Sequence, residues 1–169
     1  MNPRHSMTTA EWYTPSYIVE AARATMGGID LDPASSAIAN ETVKAATFYT
    51  AEDDGLVQPW EGRVFLNPPG GKHASGKSLA NLFWARLVDH YRAGLVPQAI
   101  WVGYSLEQLQ TLQKASAFSP LEYPMCVPER RIAFVGRGGS PSHGNYITYL
   151  GLHTRRFKEA LFGIGAVRL

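Results

Sequence analysis

The tripeptide Asn67-Pro68-Pro69 has the residue types needed to hold a planar amine. It follows a short apolar run at residues 64–66, which predicts a buried strand. The amide oxygen of Asn67 and the backbone carbonyl of Pro68 can each accept one amine hydrogen, and the proline rings fix the backbone that presents them. The predicted catalytic residues are therefore Asn67, Pro68 and Pro69.

This arrangement suits methyl transfer to an amine. An exocyclic amine on a nucleobase is a poor nucleophile because its lone pair is delocalised into the ring, so positioning must carry most of the catalysis. A methyl group on a sulfonium needs no acid in order to leave, and no metal is expected. The tripeptide alone leaves the acceptor open among adenine, cytosine, RNA bases and a protein glutamine.

A second pattern points to a different chemistry. Residues 71–78, GKHASGKS, match the phosphate-loop pattern G-x-x-x-x-G-K-[ST] in full, which would indicate a nucleotide triphosphatase. Such an enzyme needs an aspartate at the end of a later strand to hold magnesium, whereas the later predicted strands end near Gly103, Gly136 and Gly151. Residues 67–70 also separate the loop from its strand. Methyl transfer is therefore the favoured interpretation.

The elements that must position these residues alternate between helix and strand. Thr14 is predicted to cap a first helix that has Pro15 in its first turn and ends at Gly27. Two late strands, at residues 131–135 and 146–152, flank a Gly/Ser/Pro turn and predict a terminal hairpin. We therefore expect a minimal Rossmann-like methyltransferase fold of the α/β class, with a mostly parallel sheet, an antiparallel terminal hairpin and helices on both faces.

Composition limits the class of protein. The chain has 169 residues, of which 45% are hydrophobic and 18% charged, which is typical of one globular domain spanning residues 1–169. Residues 1–10 are expected to be flexible and lack the apolar core of a secretory signal. No apolar run is long enough for a bilayer, so no membrane partner is expected. The net charge of +2 permits binding to DNA without arguing for it.

Several further segments occur in the order that a known family shows. They are Glu11-Trp12-Tyr13-Thr14-Pro15, Asp30-Leu31-Asp32-Pro33-Ala34-Ser35, Phe48-Tyr49-Thr50, Asp53-Asp54-Gly55-Leu56, Trp60, Arg130-Arg131-Ile132-Ala133-Phe134 and Tyr146-Ile147-Thr148-Tyr149-Leu150-Gly151. Together with the NPP motif, this ordered set resembles the phage-type DNA adenine methyltransferases, a Dam-like family. The resemblance implies S-adenosyl-L-methionine as the cofactor, adenine in DNA as the substrate and a phage or prophage origin. A cytoplasmic location, in a bacterial or phage-infected host cell, is expected because the sequence has no recognisable secretory signal or membrane-spanning run.

The resemblance also implies a cofactor site. Thr14 would contact the methionine end of the cofactor, Asp30 or Asp32 would lie at the end of the first strand, and Asp53 or Asp54 would face the adenosine. The turn after the first strand is poor in glycine, so Ala34 and Ser35 would have to allow the cofactor to approach the backbone closely. The predicted cofactor-binding residues are Tyr13, Thr14, Pro15, Asp30, Asp32, Ala34, Ser35, Asp53 and Asp54.

One position departs from the family. Enzymes of this type usually carry an aromatic residue after the two prolines, where its ring stacks on the flipped-out base, and this chain has Gly70. The candidates for a relocated stacking partner are Trp60, Phe83, Trp84 and His73. The predicted substrate-binding residues are Trp60, Gly70, Lys72, His73, Lys77, Arg130, Arg131 and Asn145. The departure keeps a second alternative open, a catalytically silent relative that binds DNA or cofactor.

Overall fold

The computed structural model describes residues 12–136 and 143–169. The predicted flexibility of residues 1–10 lies outside these ranges. Within them, no helix is long and apolar enough to cross a membrane. The helices are α1 (Ser16–Met26), α2 (Ala37–Val43), α3 (Leu79–Arg92), α4 (Leu106–Ala115) and α5 (Thr154–Leu161), and the strands are β1 (Leu31–Asp32), β2 (Thr47–Phe48), β3 (Val64–Leu66), β4 (Ala99–Gly103), β5 (Met125–Pro128), β6 (Tyr146–Leu150) and β7 (Gly165–Arg168).

The strands form one mixed sheet in the order β2-β1-β3-β4-β6-β5-β7. The pairings of β1 with β2, of β1 with β3 and of β3 with β4 are parallel. Those of β4 with β6, of β5 with β6 and of β5 with β7 are antiparallel. The α/β class is thus confirmed, but the sheet is half parallel among the described strands rather than mostly parallel.

The predicted terminal hairpin is wrong. β6 pairs with β4 and β5, and residues 131–134 form no strand. The backbone N–H of Ile132 donates to the side-chain oxygen of Asn145 at 3.1 Å, and Val135 forms an isolated bridge with Tyr13. Because both edges of β6 are already paired, this segment has no ladder to join. α5 and β7, which follow β6, were not predicted.

Helices cover both faces of the sheet because strand side chains alternate between the faces. Phe65, Ile100 and Val102 belong to one apolar cluster, which includes residues of α1 and α5. The alternate side chains of β3 and β4 belong to a second cluster, which includes residues of α3 and α4. This burial makes the sheet a rigid platform for the residues that follow its strands.

The start of α1 differs from the prediction. Pro15 is the N-cap residue and no side chain caps the helix, so Thr14 does not act as a cap. Thr14 is buried nonetheless, which gives it a packing role at this point. The predicted end is confirmed, since Gly27 takes a left-handed conformation with φ of 80°.

Candidate active site

Several of the predicted site residues follow the ends of strands at one edge of the sheet. β1, β2, β3 and β4 are parallel, so their carboxyl ends share this edge. Gly103, at the end of β4, is paired with Tyr146, at the start of β6, which brings the segment before β6 to the same edge. Open α/β sheets bind ligands at this location.

Asn67 follows β3 directly and is half-buried. Its Nδ2 donates a hydrogen bond of 3.0 Å to the backbone carbonyl of Trp12. Within the described part of the chain, Oδ1 of Asn67 accepts no hydrogen bond. The bond to Trp12 therefore uses the donor end of the amide and leaves the acceptor end for a ligand, as the predicted amine-binding role requires.

The segment from Trp12 to Pro15 lies across this edge. The backbone N–H and C=O of Tyr13 each bond to the backbone of Val135 at 2.8 Å. Val135 follows the carboxyl end of β5, so the segment joins that loop to Asn67. The structure thereby brings the predicted cofactor residues Tyr13, Thr14 and Pro15 next to the predicted catalytic amide.

Asp32 ends β1 with its side chain buried, 3% of the residue being exposed. Its Oδ1 accepts a bond of 3.2 Å from the Ala34 backbone N–H. Burial raises the pKa of Asp32 to about 7, although hydrogen bonds from Ala34 and Ser35 act in the opposite direction. The Ser35 N–H donates to the Tyr49 carbonyl at 2.8 Å, which ties this turn to the end of β2. A buried carboxylate with few donors suits a cationic ligand.

Asp30 is not part of this edge. It precedes β1 and accepts hydrogen bonds from Arg63, which precedes β3: Nε and Nη2 each lie 2.8 Å from a carboxylate oxygen, and the backbone N lies at 2.7 Å. These bonds hold the pKa of Asp30 below its usual value. Asp30 therefore ties the start of β1 to the start of β3, and these bonds to Arg63 use both of its carboxylate oxygens.

The loop that carries Asp53 and Asp54 packs against the turn after β1. A Cβ atom on Gly55 would lie 1.9 Å from the Pro33 carbonyl oxygen, so glycine is required for this approach. Both carboxylates are exposed, and Oδ2 of Asp53 accepts bonds from the N–H and hydroxyl of Thr50 at 2.8 and 2.9 Å. These bonds lower the pKa of Asp53. The loop thus lies against the turn that follows Asp32, and its two carboxylates remain exposed.

Three of the four candidates for the stacking ring are part of the core. The relative exposures of Trp60, Phe83 and Trp84 are 1%, 5% and 0%. The indole of Trp60 also donates to the Gly55 carbonyl at 2.7 Å and stacks on Phe83. Its predicted contact with the substrate is therefore corrected to a structural role. His73 is the one candidate of the four that is exposed.

Residues 71–78 do not have the geometry of a phosphate loop. Lys72 and Ser78 form an antiparallel bridge. The N–H of His73 bonds to the Lys77 carbonyl and that of Gly76 to the His73 carbonyl, both at 2.9 Å. A phosphate loop directs such amides at its ligand, whereas here they close a hairpin. The triphosphatase interpretation has no support in this geometry.

The hairpin lies beside α3, and an open, shallow cleft of about 420 Å³ lies between them. The cleft has more basic than acidic side chains: His73 and Lys77 come from the hairpin, Arg86 and His90 from α3, and Asp89 is the single carboxylate. The hairpin residues were predicted from the sequence, whereas Arg86 and His90 were not. Their spacing could have indicated a shared basic face of the helix, since side chains four residues apart lie on the same face.

The remaining predicted DNA contacts fall into two groups. Lys72, Arg130 and Arg131 are exposed, and Arg130 lies 3.8 Å from Glu129. Asn145 is buried, and its Nδ2 donates to the Gly103 carbonyl at 3.1 Å while its Oδ1 accepts from Ile132. Asn145 thus holds the loop before β6 against β4, which corrects its predicted role in substrate binding.

Trp12, like Arg86 and His90, was not among the site residues predicted from the sequence. It is 46% exposed, and its backbone carbonyl contacts Asn67. The signal was its place in the W-x-T-P segment, two residues before a predicted cofactor contact.

Comparison with known proteins identifies the family. No curated protein and no solved structure gave a significant match. The family model described as DNA N-6-adenine-methyltransferase (Dam) matches residues 4–114, which is more than half of the chain and includes the NPP motif, Asp32 and the hairpin. The chain belongs to the DNA N-6-adenine-methyltransferase (Dam) family.

Proposed function

We propose that this protein transfers a methyl group from S-adenosyl-L-methionine to the exocyclic amine of adenine in DNA. The observation that carries the proposal is the orientation of Asn67, whose Nδ2 is held by the Trp12 carbonyl at 3.0 Å while Oδ1 accepts no bond from the described residues. Family membership supports the reaction class. The parallel strands β2-β1-β3-β4, with the site at their carboxyl ends, support a minimal Rossmann-like methyltransferase fold.

Asn67 and Pro68 would orient the substrate amine. Oδ1 of Asn67 and the carbonyl oxygen of Pro68 would each accept one hydrogen from the amine, which draws the nitrogen toward tetrahedral geometry and localises its lone pair. The bound cofactor would supply an electrophilic methyl group, whose bond to the sulfonium sulfur would break, and would leave as the neutral thioether S-adenosylhomocysteine. As the nitrogen gains its new bond it gives up one proton, which leaves through these acceptor oxygens to solvent. Pro68 and Pro69 hold the backbone rigid during this step.

The residues around Asp32 fit the cofactor. A buried carboxylate whose pKa is raised to about 7 gains an opposite charge when a cationic ligand binds, which favours its ionised form. The methionine part of the cofactor carries an ammonium group and a sulfonium. We assign Thr14, Asp32, Ala34 and Ser35 to this part, and the loop with Asp53 to the adenosine.

The basic side chains of the hairpin would contact the DNA backbone. Lys72, His73 and Lys77 are exposed, and the cleft along α3 adds Arg86. Cationic side chains of this kind bind phosphates and fix register without reading sequence. We assign Arg130 and Arg131, both exposed beyond the end of β5, to the same task.

The test is methylation of DNA in vitro. Methylation-free plasmid DNA is incubated with the purified protein and isotope-labelled S-adenosyl-L-methionine, and its nucleosides are analysed by mass spectrometry. We expect labelled N6-methyladenine with the wild type and with Phe162→Ala, a control at an exposed aromatic residue after α5, but not with Asn67→Ala. Cofactor binding by calorimetry without any methylated base would instead identify a catalytically silent relative.

A further inference from the structure

A base drawn out of the duplex needs a surface on which to stack, and the residue after the NPP motif does not supply one. Gly70 has no side chain, and a Cβ atom on it would meet no heavy atom within 4 Å. The rings of Trp60, Phe83 and Trp84 are buried in the core. The stacking surface must therefore come from another element.

Trp12 is placed to supply it. Its carbonyl oxygen lies 3.0 Å from Nδ2 of Asn67, so its backbone is in direct contact with the residue that would hold the amine. The residue is 46% exposed, whereas the other three tryptophans are at most 1% exposed. The backbone bonds between Tyr13 and Val135 fix the segment in this position.

We propose that the indole of Trp12 is the surface on which the target adenine stacks, in place of the aromatic residue missing at position 70. The inference rests on the proposed function. Trp12 then has two separable roles, because its carbonyl orients Asn67 and its ring contacts the base. Tryptophan suits the second role, since its large apolar face stacks on any nucleobase.

Substitution of the side chain separates these roles, because Trp12→Ala keeps the carbonyl. We expect Trp12→Ala to lower kcat/KM for DNA by roughly 5- to 150-fold, chiefly through KM, the loss typical of one base stack. Trp12→Phe keeps a ring and should stay within about threefold of the wild type. Affinity for the cofactor, measured by calorimetry, should be unchanged in both. Phe162→Ala, which removes the most exposed aromatic ring, should behave as the wild type.

The decisive variant restores an aromatic ring at position 70. A Cβ atom at position 70 would meet no heavy atom within 4 Å, and the residue is exposed, so we expect the site to accept Gly70→Tyr. In the Trp12→Ala background it should recover most of the lost kcat/KM. If Trp12 only stabilised the fold, a ring at position 70 would not compensate, and failure of this rescue would overturn the inference.

Fluorescence gives a readout that does not depend on turnover. Because Trp12 is the one tryptophan of the four that is exposed, acrylamide quenching reports chiefly on its indole. A single-stranded oligodeoxyadenylate added with S-adenosylhomocysteine should protect it, while an abasic oligonucleotide of equal length should not. The wild type could methylate DNA while the oligonucleotide leaves the quenching unchanged and Trp12→Ala stays active. That result would overturn the inference about Trp12 and leave the proposed function in place. A wild type that binds DNA but methylates no base would overturn both the inference and the proposed function.

Discussion

The side-chain amide of Asn67 donates to the backbone carbonyl of Trp12, 55 positions earlier in the chain, at 3.0 Å. An amide has one donor end and one acceptor end, so this single bond decides which end faces the ligand. The acceptor end is the useful one for an amine. The N-terminal segment thus contributes to the orientation of the amide for which we propose a catalytic role.

The first prediction concerns this amide. Asn67→Ala removes the acceptor and should lower kcat by about 10²- to 10³-fold, as loss of one positioned polar group does in other sites. Asn67→Asp keeps an acceptor oxygen but loses the donor to Trp12, so its kcat should lie between those of Asn67→Ala and the wild type. Single-turnover methylation measures this order. Equal activity of the three proteins would remove Asn67 from the mechanism.

The second prediction concerns Asp32 and pH. Burial raises its pKa from 3.8 to about 7, so the folded protein binds this proton more tightly than the unfolded chain does. The free energy of unfolding should therefore fall as pH rises from about 4 to about 7, by at most about 1.4 kcal/mol per pH unit. Asp32→Asn cannot ionise and should flatten this dependence.

Urea unfolding between pH 5 and pH 8 provides the measurement for Asp32. Asp89→Asn, at an exposed position on α3, is the matched control and should keep the slope of the wild type. If the free energy of unfolding changes with pH equally in Asp32→Asn and the wild type, the buried environment assigned to Asp32 is contradicted.

The third prediction separates Asp30 from Asp32. Asp30 accepts three hydrogen bonds from Arg63, and both side chains are about one third exposed, so Asp30→Ala should cost about 1–2 kcal/mol of stability. This stabilisation is present above about pH 4 and is lost as pH falls, because the pKa of Asp30 is lowered. Calorimetry should find unchanged cofactor affinity, and a tenfold loss would return Asp30 to the site.

The fourth prediction concerns the hairpin. Lys77→Ala should weaken DNA binding and reduce the slope of log K against log salt by about 0.9, the contribution of one phosphate contact. Lys158→Ala, on α5, is the matched control with the same charge change and should leave the slope unchanged. ATP with magnesium should not raise the melting temperature of the wild type. Stabilisation by ATP that Lys77→Ala abolishes would favour the triphosphatase instead.

Much of the site was readable from the sequence because it depends on local patterns. An apolar run followed by two prolines places Asn67 at the end of a strand, and Gly27 ends α1 because it accepts a left-handed conformation. The ordered motifs identified the family. These inferences depend only on residue types and their spacing, so tertiary contacts did not change them.

The rest was decided by contacts between distant parts of the chain. Asp30 and Asp32 are equivalent candidates in sequence, and only the bonds from Arg63 and the burial of Asp32 assign them to opposite edges. The sheet is half antiparallel because β6 inserts between β4 and β5 and β7 pairs with β5, and no local pattern encodes these pairings. The exposure of Trp12 and its position beside Asn67 likewise follow only from tertiary contacts. Residue types and their spacing were enough to predict the NPP motif and the family. Which side chains contact that motif was decided by tertiary packing, because long-range pairing depends on burial across the whole chain.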